Sequence, residues 1–235
     1  MKVQNIALVA AVLVGALLAM SGVRAISTDG TNVNFVGNVT STGSSPTTMT
    51  AYGGEVTPMN VSQVTNSNNW NAFVGNITQS LVLEGTSGTS IYNWSGSVAP
   101  NGWIIFSNSS SFDFATAAFA TNAGTAVGED NYLSLGVTPD NVSSTFSSAA
   151  GNPAIVLDSS TVGADSTINI TTNSLGGTDW GEYLIVDGNA DVAYVGDINN
   201  NNEDYKGDPV DYQVIVPVNS GTNRVYYVYA AVTAA

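Results

Sequence analysis

The chain has no cysteine and no histidine, and only 4 of its 235 residues are lysine or arginine. Without cysteine there is no disulfide, no thiolate metal site and no haem attachment. Without histidine there is no imidazole ligand and no Ser-His or Cys-His nucleophile pair. The shortage of positive charge excludes a phosphate-binding surface: 18 acidic residues give a net charge of −14, which repels nucleic acid and anionic lipid. With so few bases, internal salt bridges are not expected to organise the fold. Two of the four, Lys2 and Arg24, lie in the first 25 residues, whose removal would leave 18 acids against 2 bases, a net of −16.

What is present is a globular composition. Hydrophobic residues make up 43% of the chain and charged ones 9%, so Ser, Thr, Asn and Gly carry the polarity. Residues 1–25 have the layout of a secretory signal: Lys2, an apolar run over 6–20, and Val23-Arg24-Ala25 as a small-residue cleavage site, which makes Ile26 the first residue of the mature chain. The run is shorter than the roughly 20 residues of a spanning helix, so no membrane segment is expected in the mature form. The alternative is a retained N-terminal helix, as an anchor or a pilin-type filament core.

The rest divides into a polar segment, 26–50, with a short strand candidate (Val33, Phe35, Val39); a first β region, 51–110; a mixed region, 111–175; and a C-terminal β region, 176–235, which the pattern packs into one unit with 51–175. Short apolar runs at 56–61, 72–74, 77–83, 91–94 and 103–106, separated by Gly, Asn and Ser, read as strands, with a turn at 85–88. Residues 112–131 fit strand or helix equally. Thr138-Pro139-Asp140 supplies an N-cap, a first-turn proline and an early acid, predicting a short helix over 139–147. Residues 154–157 and 166–172 return to strand character. Leu184, Ile185 and Val186 then run into Asp187-Gly188-Asn189, a turn tolerant of positive φ, and Val192 to Val195 return, predicting a hairpin. Tyr212, Val214, Val216 and Val218 alternate along a further strand, and 225–232 is another. The expected fold is all-β, antiparallel and sandwich-like, with one short helix. The 26–50 segment can belong to this sheet or act as an arm that donates a strand to a neighbour.

Four groups of residues are candidates for chemistry. Asp197, Asn199 and Asn201 alternate, Asn202 stands where a calcium loop has glycine, and Asp208 is twelfth, a spacing at which oxygen ligands converge on a hard cation, although the closing glutamate is missing. Calcium is therefore the one cofactor the spacing suggests, against a plain solvated loop. Asn38, Asn60, Asn76, Asn93, Asn108, Asn141 and Asn169 each begin an Asn-x-Ser/Thr acceptor for glycan. Trp70, Trp94 and Trp103 can form a sugar-stacking platform or fill the core. Glu182, Glu203 and several aspartates supply carboxylates for glycoside hydrolysis, but nothing in their spacing separates them from surface acids, and no enzyme is expected.

Several phrases occur in one order over nearly the whole mature chain: YGGEVTPMNVS, NNWNAFVGNITQSLVL and IYNW between Tyr52 and Trp94, GWIIFSNSSS from Gly102, LGVTPDNVSSTF ending at Phe146, YLIVDGNADVAYVGDI from Tyr183, DYQVIVPV from Asp211 and VYYVYAAV from Val225. In these the chain resembles a widespread, largely uncharacterised family of secreted archaeal cell-surface proteins. Relatives often carry cysteines in the central region, and this chain has none. The resemblance implies an exported β-rich protein of the cell exterior and supplies no catalytic residues. The expected role is structural or interactive: a homo-oligomer or filament built by strand exchange, or a component beside the surface layer, with a carbohydrate- or calcium-dependent adhesion module as the alternative.

Overall fold

A computed structural model describes residues 25–26, 66–78, 81–84, 89–94, 101–147, 153–157, 160–163, 169–219 and 223–232. The strand expectations at 33–39 and 56–61, the turn at 85–88, and the sequons at Asn38 and Asn60 lie outside them. The fold is antiparallel, all-β and sandwich-like.

Its centre is a seven-stranded sheet. Strand β1 (Ala25–Ile26) pairs with β15 (Tyr227–Val232), β15 with β5 (Asn101–Ser107), β5 with β11 (Val192–Asn199), and β11 with β10 (Trp180–Val186). One edge of β10 is shared: β9 (Asn169–Thr172) pairs with its first half and β6 (Ala118–Phe119) with its end. Strand β11 is central, and Val192, Ala193, Tyr194 and Val195 are buried in succession. An uninterrupted apolar run is the mark of a strand covered on both faces.

Alternation along the strands separates two cores. Ile104, Phe106, Leu184, Val192, Tyr194 and Ile198 point to one side, where they meet Val214 and Val216 of β14 (Tyr212–Pro217), which pairs with β2 (Trp70–Gly75). The same side is closed by two short helices, α1 (Val127–Leu133), entered through a wide turn at Asn122–Ala126, and α2 (Val142–Thr145). Ile105, Ile185, Ala193, Val195 and Tyr229 point the other way, under β7 (Ile155–Leu157), β8 (Ser160–Val162) and Phe112. Two further hairpins complete the description: β3 (Leu81–Glu84) with β4 (Ser90–Trp94), and β12 (Asn202–Glu203) with β13 (Pro209–Val210). None of the described helices is long and apolar enough to cross a membrane.

Where the backbone departs from expectation, a side chain is the reason. Helix α2 is capped by Asn141, whose Oδ1 accepts the Ser144 N–H at 2.8 Å, so Thr138-Pro139-Asp140 forms the turn before the helix, not its first turn. Helix α1 falls in the stretch that sequence pattern left open. Its Asp130 carboxylate accepts the N–H groups of Val142 (2.5 Å) and Ser143 (3.1 Å), fixing α2 against α1. The β10–β11 hairpin is present as expected, but the positive φ (67°) belongs to Ala190 and not to Gly188 or Asn189.

Glycine permits the close approaches. A Cβ on Gly196 of β11 would stand 2.2 Å from Cγ2 of Val214, so the missing side chain lets β14 settle onto the central strand.

Candidate functional site

The twelve-residue calcium loop expected from Asp197 to Asp208 does not exist as a single loop. Strand β11 pairs with β10 as far as Gly196 and with β5 as far as Asn199, and Asn202 and Glu203 then enter a separate hairpin. Asp197 is therefore a strand residue on the Trp103 and Tyr183 side of the sheet, and its Oδ2 accepts the Asn199 side-chain N–H at 2.8 Å. Asn201 turns the chain in the left-handed region (φ 54°), and Asp208 is exposed in the β12–β13 hairpin. Pairing of β11 overrode the ligand spacing. Among the described residues no group of three or more acidic, histidine or cysteine side chains is placed to hold a metal.

The acids do other work. Asp187 and Asp204 each open a five-residue hairpin loop, Asp187-Gly188-Asn189-Ala190-Asp191 and Asp204-Tyr205-Lys206-Gly207-Asp208. In each, the first carboxylate accepts the N–H groups two and four residues later, at 2.9 and 2.9 Å in one loop and 2.7 and 3.0 Å in the other. The fourth residue is left-handed in both, Ala190 at 67° and Gly207 at 90°. Burial acts to raise Asp187, but N–H groups from Asp113, Asp191 and Asn189 hold its carboxyl below the usual range. Asp211 plays a similar part, taking the N–H groups of Ile77 (2.8 Å) and Asn201 (3.1 Å). Hydrogen bonds to a charged acceptor are worth roughly 1.5–3 kcal/mol each, which suits a chain without disulfides. Sequence pattern places Asp187 in a turn and Asp208 among calcium ligands and gives Asp204 and Asp211 no role; the repeated Asp-x-x-x-Asp spacing is the signal that points to the shared loop.

The remaining candidates divide by burial. Asn76 is exposed and Asn108 half-buried. Asn141 and Asn169 are buried, at 5% and 8% exposure, and the Asn141 side-chain nitrogen donates to the Gly136 carbonyl at 2.9 Å, so neither can carry a glycan in this fold. The side chains of Asn93 and Trp94 lie outside the description. Trp70 packs on Phe146 and donates to the Asp140 carbonyl at 2.6 Å, whereas Trp103 lies in the opposite core, edge-on to Tyr183. They fill the two cores and share no platform. Glu203 is exposed, while Glu182 is wholly buried.

Glu182 and Asp197 project to opposite faces of the sheet from paired strands. Oε2 of Glu182 accepts the Ile215 N–H of β14 at 3.0 Å; its Oε1 and the Oδ1 of Asp197 are buried with no hydrogen-bond partner among the described residues. Burial pushes the Asp197 carboxyl up to about 6, against the lowering effect of Asn199, and burial holds Glu182 well above the ordinary carboxylate range. In the unfolded chain both groups ionise nearer pH 4, so the stability they contribute is complete below that pH and is lost as pH rises through the folded values. For Asp197 the difference corresponds to at most roughly 3 kcal/mol. The melting temperature is therefore expected to rise as pH falls from 7 toward 4, and Asp197→Asn to flatten part of that rise. Scanning calorimetry showing a flat or falling profile over this range would refute the assignment.

A cavity of about 430 Å³ opens between α1 and the β10–β11 hairpin, lined by Asn108, Thr125, Glu129, Tyr132, Val186 and Val192 together with Gly124, Gly128 and Ala190. Glu129 forms part of the wall, and its carboxylate is tied into the fold. It is paired with Arg224 at 2.6 and 3.2 Å and accepts the hydroxyl of Tyr194 at 3.0 Å. The guanidinium lies 5.3 Å from the ring centre of Tyr132 and 5.0 Å from that of Tyr226. Both charged side chains are buried, at 8% and 6% exposure, so one internal salt bridge does contribute to the fold even though so few bases are present. Burial beside Glu129 also raises the Tyr194 hydroxyl well above its ordinary value.

Comparison with known proteins gives no match among family models, curated proteins or solved structures.

Proposed function

We propose that the protein is an extracellular structural component of the cell surface that associates with copies of itself by strand exchange. The observation that carries this reading is the pairing of β1 with β15 at the edge of the central sheet: Ile26, the expected first residue of the mature chain, lies opposite Ala231, while Ala25, opposite Val232, belongs to the expected leader. An edge that receives the chain's own N-terminal segment through main-chain hydrogen bonds offers the same groups to that segment of a neighbouring copy. The resemblance of the sequence to secreted archaeal surface proteins supports the same reading, as do the leader-like first 25 residues. Mature copies, with 18 acids against 2 bases and a net charge of −16, repel one another, so salt is expected to favour association by screening.

Deleting residues 26–45 is expected to leave a protein that unfolds in the same transition but sediments as a monomer, while the mature chain forms polymers visible by electron microscopy. Normal polymers from the truncated protein would rule out strand donation. A mature chain that stays monomeric at high salt would rule out self-assembly altogether.

A further inference from the structure

We infer that the cavity beside α1 is a binding site for a neutral saccharide, an assignment that does not rest on the assembly reading. Four observations define the ligand. First, the rim carries a large aromatic ring in the open: Tyr132 is 75% exposed, although one of its faces is held by the Arg224 guanidinium. A ring fixed in orientation with a free surface suits the C–H face of a pyranose, which is apolar on one side and hydroxylated at its edge.

Second, the wall carries hydrogen-bonding groups that the fold leaves with spare capacity. The amide oxygen of Asn108 accepts the Val192 N–H at 2.9 Å, which fixes the side chain, and among the described residues no hydrogen bond occupies its nitrogen. Oε1 of Glu129 receives one bond from Arg224, at 3.2 Å, and a carboxylate oxygen can accept a second. The Thr125 hydroxyl completes a set of one donor, one acceptor and one group that serves as either, which is what vicinal hydroxyls require.

Third, charge selects against ions. Glu129, the one acidic residue among the described residues that line the cavity, is neutralised by its pair with Arg224, so a cation finds no free carboxylate, and the acidic protein as a whole repels anions. Fourth, the space is kept open by glycine. Gly128 lines the cavity from helix α1, where glycine costs stability relative to alanine, and a Cβ built on it would meet nothing within 4 Å. The volume lies within the range of small-molecule pockets, roughly 300–1,000 Å³.

The test uses the mature chain and saturation-transfer NMR against neutral probes, the methyl glycosides of glucose, galactose, mannose and N-acetylglucosamine and their common disaccharides, with sialic acid and a sulfated sugar as charged controls. At least one neutral probe is expected to bind. Gly128→Leu, which suits a helix and fills the opening, is expected to abolish binding without lowering the melting temperature. Tyr132→Ala is expected to weaken binding by about tenfold, the loss of a stacked ring. Should Tyr132→Ala disturb the fold through Arg224, Gly128→Leu decides. No neutral probe bound at millimolar concentration, binding unaffected by Gly128→Leu, or binding of the charged controls alone would each overturn the assignment.

Discussion

Replacing Gly102 by alanine is expected to lower stability by at least about 3 kcal/mol, through backbone strain of roughly 1–3 kcal/mol with an overlap added to it. Gly102 lies in β5 between β11 and β15, opposite Ile198 and Val232, with φ at 138°, a conformation that side-chain-bearing residues rarely adopt. A Cβ at this position would stand 2.0 Å from the carbonyl oxygen of Ala231. That oxygen belongs to backbone and cannot swing aside, so relief requires β15 to separate from β5 where β1 is also attached. For a chain of this size 3 kcal/mol corresponds to a fall in melting temperature of about 6–12 °C. Gly163→Ala is the control, since a Cβ there meets nothing within 4 Å, and it is expected to leave the melting temperature unchanged. Equal melting temperatures for the two variants would show that β5 and β15 are not held at this separation.

Short-range pattern carried the strands well and the sites poorly, for physical reasons. The β10–β11 hairpin was legible because alternation and turn residues act between neighbours in sequence, and both flanking strands are long enough to show them. Alternation in β14 was legible too, but not its partner: β14 pairs with β2, more than 130 residues away in sequence, and packs across β11 because Gly196 has no side chain, which no local pattern reports. The calcium spacing failed because ligand geometry presumes a loop, whereas β11 gains more by pairing with β5 as far as Asn199 than by turning at Asp197. Helix α1 escaped because its buried face is largely charged: Glu129 and Asp130 point inward and find partners 95 and 12 residues away. A hydrophobic pattern cannot register a helix that is anchored by carboxylates.

The pair at that anchor should respond sharply to single substitution and mildly to double substitution. Arg224→Ala leaves Glu129 charged, almost fully enclosed and held by the Tyr194 hydroxyl alone, and breaking a buried pair from one side costs about 3–5 kcal/mol. It also removes the cation from between Tyr132 and Tyr226, so the rim of the cavity loses its support. Glu129→Gln combined with Arg224→Met is expected to recover most of the loss. The glutamine oxygen still accepts from Tyr194, the methionine still packs between the rings, and neither carries a charge that burial penalises. Denaturant unfolding of the two single variants and the double variant gives the coupling directly. If Arg224→Ala costs less than about 1 kcal/mol, the pair is solvated in solution like an ordinary surface bridge. If the double variant is as unstable as the singles, shape alone is what Arg224 provides, and the long-range bond from the C-terminal strand's approach to α1 is not what fixes the cavity wall.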